Sequence, residues 1–83
     1  MRVWRVPDGP VEDATEGEWN RNYLTLLLPA QTGEILKGSL VQIESASTLY
    51  LGEVQQIKGL TALVRVEHTV DRSKLALIEK IWG

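Results

Sequence analysis

Residues 37–57 constrain the fold of this chain more than any other stretch: Lys37-Gly-Ser-Leu-Val-Gln-Ile-Glu-Ser-Ala-Ser-Thr-Leu-Tyr-Leu-Gly-Glu-Val-Gln-Gln-Ile. Val41 and Ile43 share one parity, the Ser45-Ala46-Ser47 run is a turn of small residues, and a long β-type segment follows from Thr48. Lys58-Gly59 marks a tight hairpin, after which Ala62, Val64 and Val66 alternate with Leu63, Arg65 and Glu67 along a returning strand. Short strands at this spacing in a chain of 83 residues predict one domain, residues 1–83, built as a small antiparallel barrel.

The rest of the chain fills in that plan. Residues 2–6 have β composition and read as an edge strand whose apolar face carries Trp4. Pro7-Asp8-Gly9-Pro10 is a turn. Residues 11–20 are acidic and weakly patterned, and read as a loop or as a short strand ending in a turn at Gly17. Tyr23 to Leu28 is a strand stopped by Pro29. In the long strand the parity of Leu49 and Leu51 differs from that of Val54, and the intervening Gly52 marks a bulge. From Asp71 the period changes. Leu75, Ile78 and Trp82 fall at helical spacing, Asp71 suits an N-cap, and the predicted C-terminal helix docks that stripe on the barrel.

Composition excludes several functions. There is no cysteine, hence no disulfide, thiolate metal site or cysteine nucleophile. Together with the lack of a charged n-region and apolar h-region at the start, this predicts a cytoplasmic chain. No apolar run approaches the roughly 20 residues of a membrane span. With three Trp, two Tyr and no Phe, the core has to be aliphatic. The net charge of −2 argues against nucleic acid, which selects for a basic face. Five of the eleven acids fall within residues 8–18, a segment that would repel phosphate.

No constellation of catalytic or metal-ligating residues stands out. His68 is the only histidine and has just Glu67 and Asp71 nearby as candidate co-ligands. Ser39, Ser45, Ser47 and Ser73 have no neighbouring base and read as turn formers. The glycines are spaced by strand lengths, not as a phosphate loop. The expectation is therefore a non-enzymatic protein without metal or cofactor. Trp4, Trp19, Tyr23, Tyr50 and Trp82 could include a base-stacking platform, which keeps open an SH3-like or OB-like barrel that binds nucleic acid.

Three segments carry a family resemblance: Tyr23-Leu-Thr-Leu-Leu-Leu-Pro, then Gly38-Ser-Leu-Val-Gln-Ile-Glu, then Leu49-Tyr-Leu-Gly-Glu-Val. Their order and turn spacing resemble the later strands of a PilZ domain, with Leu51-Gly52-Glu53-Val54 the most specific piece. The resemblance implies a six-stranded antiparallel barrel with a C-terminal helix. Many PilZ domains are cyclic di-GMP receptors that use an arg-x-x-x-arg motif and a later asp/asn-x-ser-x-x-gly. Here Arg2 and Arg5 are separated by two residues. In Asp13-Ala14-Thr15-Glu16-Gly17 a threonine replaces the serine and the glycine arrives one residue early. Glu16 and Glu18 would face the ligand's phosphates, and one such contact at roughly 4 Å costs on the order of 4 kcal/mol at an effective dielectric near 20.

The resemblance thus implies a degenerate PilZ-like module, non-catalytic, regulatory and protein-binding, in which cyclic di-GMP is not a strong ligand. Were it to bind, the contacting residues would be Arg2, Arg5, Asp13, Thr15 and Arg21. Leu49, Tyr50, Leu60 and Leu63 have parities opposed to apolar neighbours, and Trp19 falls in the acidic loop. A protein partner, or self-association, is therefore expected at a strand face bearing Tyr50 and Leu63, with Trp19 contributing.

Overall fold

The structure is a computed structural model and describes residues 1–30 and 35–71. Of these, 66% lie in seven strands: β1 (Arg2–Arg5), β2 (Glu12–Asp13), β3 (Thr15–Asn20), β4 (Tyr23–Leu27), β5 (Leu40–Glu44), β6 (Thr48–Lys58) and β7 (Thr61–Asp71). They form one sheet in the order β2-β1-β5-β6-β7-β4-β3, antiparallel at every pairing and curled into a half-barrel. The two outermost strands, β2 and β3, are consecutive in the chain with only Ala14 between them. At that corner Met1 and Ala14 exchange two backbone hydrogen bonds, 2.9 Å from the Met1 amino group and 2.7 Å from the Ala14 amide.

The concave side of the curl is the core. Val3, Leu24, Leu26, Ile35, Val41, Ile43, Val54 and Val64 are all less than 2% exposed. Ala14, Leu28, Ala62 and Val66 complete the cluster, and Met1, Tyr50 and Ile57 pack against it from its margin. The twelve buried hydrophobic residues are all aliphatic, and no polar side chain is buried among the described residues. Each buried Val, Leu or Ile side chain contributes about 1.5–3 kcal/mol by leaving water.

The period-2 reading of β4, β5 and β7 holds. Leu24 and Leu26, then Val41 and Ile43, then Ala62, Val64 and Val66 turn inward. The β5–β6 turn is closed by Ser45, whose amide donates to the Thr48 carbonyl at 2.9 Å while its Oγ accepts from the Thr48 amide at 3.2 Å. The β6–β7 turn consists of Gly59 and Leu60, with Gly59 at φ 58°. Positive φ at the first central residue is the pattern that matches the twist of a two-residue hairpin.

Four expectations change. β1 is not an edge, since it lies between β2 and β5, and its inward residue is Val3 rather than Trp4. Trp4 faces outward opposite Gln42. Residues 11–20, expected mainly as loop, instead form β2 and β3. Gly17 lies within β3 and not at a turn. The strand count is seven rather than six, because the bend at Ala14 divides one extended stretch in two.

The bulge expected at Gly52 is present, but the extra residue belongs to the facing strand. Gly52 pairs Val66 and Leu51 pairs His68, leaving Glu67 of β7 unpaired. A second irregularity, at Gln55, is what moves the inward parity of β6 from Val54 to Ile57. Glycine at position 52 has its own steric reason: a Cβ there would lie 2.5 Å from the Arg65 carbonyl oxygen and 2.8 Å from a Val64 methyl. The expected helix with Leu75, Ile78 and Trp82 falls outside the described residues. Asp71, proposed as its N-cap, ends β7, and no helix occurs among the described residues.

Candidate functional site

One end of the concave side stays open, and the sheet's bulges shape it. In β3 the residues Glu16 to Trp19 span three steps while their partners Leu26 and Leu24 span two. Successive strand residues alternate faces, so residues three apart normally point oppositely. The extra step turns Trp19 inward, opposite the fully buried Leu24, on the side where Glu16 also projects. The Trp19 Nε1–H donates to Glu16 Oε2 at 2.7 Å. Gly17 permits the bulge, since a Cβ at that position would stand 2.7 Å from the Thr25 carbonyl oxygen.

Tyr50 reaches the same place from β6. It is registered with Ile43 on one side and Thr69 on the other, and its ring rests on the margin of the core. The Trp19 and Tyr50 rings lie 5.2 Å apart, centre to centre, at 54°. They bound a depression of about 400 Å³ completed by Arg21, Asn22, Val66, Glu67 and Thr69. Arg21 and Asn22 form the two-residue β3–β4 turn. Arg21 adopts φ 58°, a conformation that glycine takes at least cost. The Asn22 carbonyl accepts from the Val66 amide at 2.7 Å and so ties this turn to β7. Glu67 pairs with Arg65 at 3.0 Å, and that hydrogen bond raises the Arg65 pKa above its ordinary value.

The expected site residues are thus partly gathered and partly dispersed. Trp19 and Tyr50 meet, but Trp19 does so from a strand rather than from a loop. Leu63 is half-buried on the opposite, convex side, opposite Thr25 and Gln56, and does not join them. Of the residues set aside for cyclic di-GMP, Arg2 and Asp13 are register partners, and Arg2 is ion-paired to Glu44 at 3.3 Å. Arg5 ends β1, Thr15 begins β3, and Arg21 lies beyond the far end of β3. No single surface gathers all five.

Sequence reading missed Arg21, Asn22, Glu67 and Thr69 as a group. The available signal was the pair Arg21-Asn22 between Trp19-Asn20 and Tyr23-Leu24, a two-residue hairpin connection with asparagine in it. Glu67 gave none, since the residues that follow it, His68 and Thr69, are polar and left no apolar alternation for the bulge to shift.

The convex side carries a second feature. Leu49, Leu51 and Val70 border a groove of about 200 Å³ with Gln42 and His68, and Leu40 is exposed nearby on β5. Among the described residues no cluster of three His, Cys, Asp or Glu could hold a metal ion, and no helix is long and apolar enough to cross a membrane. No protein-family model, no curated protein and no solved structure matches this chain.

Proposed function

We propose that this chain is a non-catalytic binding module that engages a protein partner, resembling a PilZ domain that has lost its nucleotide motifs. The observation carrying this reading is the Trp19–Tyr50 pair, two amphipathic aromatic rings 5.2 Å apart at the open end of an otherwise aliphatic curl. Tyr and Trp set in a concave surface are the residue types that dominate binding energy in protein interfaces. The strand arrangement supports the PilZ-like part. Counted as one strand bent at Ala14, β2 and β3 would turn the seven strands into a six-membered ring. The loss of nucleotide binding is supported by the placement of the arginines, with Arg21 beyond the far end of β3 from Arg2 and Asp13.

The test is a reconstituted complex. A photoreactive residue at position 50 would capture the partner in cells, and the identified protein would then be purified and titrated. Trp19→Ala and Tyr50→Ala are each expected to weaken that complex by about tenfold or more, as truncation of a central aromatic does. A purified partner bound equally well by both variants would overturn the reading.

Self-association is a second reading, favoured by the convex groove of Leu49, Leu51 and Val70 with Leu40 beside it. Sedimentation of the purified chain tests it. Concentration-dependent association that Val70→Lys abolishes would support it, and a strict monomer at high concentration would exclude it.

A further inference from the structure

Resting on the binding-module reading, we infer that the open end of the curl is a cation–π site that receives a lysine or arginine side chain from a basic segment of its partner. Two rings at 54° present adjacent walls rather than a closed stack, so the face of Trp19 that does not meet Tyr50 stays available. Trp19 is 40% exposed, and it has given its only hydrogen-bond donor, Nε1–H, to the Glu16 carboxylate. That bond has two consequences. It fixes the indole plane, and it draws negative charge toward the ring, which strengthens the attraction of its face for a cation.

The charge around the pair has the matching sign. Glu16 of β3 is bonded to Trp19 itself, and β3 carries no base and is exposed at all six residues; its other acid, Glu18, lies on the convex side with Thr25 and Leu63. Across the depression stands Glu67. Glu67 is tied only to exposed Arg65, and a surface pair of that kind exchanges partners at little cost. Against these acids the lining holds one cation, Arg21, on the hairpin tip. An entering guanidinium or ammonium would meet aromatic faces and carboxylates, with Arg21 as the single opposing group. An acidic segment would meet Glu16 and Glu67.

Arg21 makes the sign of the ligand testable. The probes are a tetralysine peptide, a tetraglutamate peptide and tetramethylammonium, titrated into isotopically labelled full-length chain and followed by the Trp19 indole N–H and the Tyr50 ring resonances. Tetralysine and tetramethylammonium are expected to move both sets of signals in a saturable way, and tetraglutamate to leave them in place. Trp19→Ala should abolish the response at Tyr50. Trp19→Phe, which keeps a ring but cannot bond Glu16, should retain a weakened one. Arg21→Glu should tighten tetralysine by about three- to tenfold, and Glu16→Gln should weaken it by a similar factor.

Three results would overturn the inference. If tetraglutamate moves Trp19 and Tyr50 and Arg21→Glu weakens its binding, the module reading stands and only the ligand's charge is reversed. Tetralysine shifts spread over residues 12–18 with Trp19 unmoved would show unspecific attraction to the acidic strand. Silence of both residues toward every probe would remove the site itself, leaving the partner titrations to decide the module reading separately.

Discussion

Trp19 and Glu16 are three residues apart on one β-strand, yet their side chains are joined by a 2.7 Å hydrogen bond. The bulge between them accounts for this, and the bulge depends on the missing side chain at Gly17. Gly17→Ala would press a methyl against the Thr25 carbonyl oxygen. We expect a loss of about 1–3 kcal/mol in urea unfolding, the range for overpacking a close contact, with a shifted Trp19 indole N–H resonance. An unchanged midpoint and an unchanged resonance would show that β3 is not pinned against β4 in this way.

Leu26 and Leu27 are neighbours on β4 with opposite fates, the first 1% exposed and the second 48%. Leu26→Ala should cost about 2–5 kcal/mol through lost burial and the cavity left behind. Leu27→Ala should stay within about 0.5 kcal/mol of wild type, as surface changes do. Equal effects in the two variants would contradict the assignment of the concave side as the core.

Arg21 holds a left-handed backbone at the first position of the β3–β4 turn. A Cβ in that region costs roughly 1–2 kcal/mol that glycine avoids. Part of that gain is offset by the greater freedom glycine has in the unfolded chain. Arg21→Gly should therefore unfold at higher urea than Arg21→Ala, by about 1 kcal/mol. The reverse order would show that the turn relaxes out of the left-handed region when the arginine is removed.

Cyclic di-GMP is expected to bind no more tightly than the millimolar range. Arg2 stands between Asp13 and Glu44 and is already paired to the latter, while Arg21 lies beyond the other end of β3. Bringing two phosphates there would also set them beside acidic β2 and β3, where each close like-charge contact costs on the order of 4 kcal/mol. Calorimetry with micromolar or better affinity would refute this, and substitutions at Arg2, Arg5, Asp13, Thr15 and Arg21 would then locate the ligand.

Strands β4 to β7 were legible because one of their faces is buried and the other is not. Leu24 and Leu26, Val41 and Ile43, Ala62 and Val64 leave a period of two in the sequence. β3 was not legible because all six of its residues are exposed, so nothing alternates. In β1 the alternation groups Val3 with Arg5 and Trp4 with Val6, so the Trp4 face reads as the apolar one, whereas it is Val3 that is buried. Val3 turns inward because its register partner on β5 is the buried Ile43. For the site, Trp19 and Tyr50 could be singled out by type, but their meeting depends on the bulge between Glu16 and Trp19, which shifts register without altering composition. Leu63 shared the apolar character of Tyr50 but stands on the other face, a distinction that follows from register alone.

The exposure of β3 bears on how this chain stays dispersed. β3 bonds to β4 on one flank only, so its other flank is a row of unpaired backbone donors and acceptors of the kind that templates strand addition and fibrils. The side chains along that row include the carboxylates of Glu16 and Glu18. Two copies approaching edge to edge would bring four negative charges together, so these acids, one on each face of the strand, keep one molecule's edge from zipping onto another's. Neutralising them, by acid or by Gln at both positions, would leave an unguarded edge and a chain prone to aggregate while still folded.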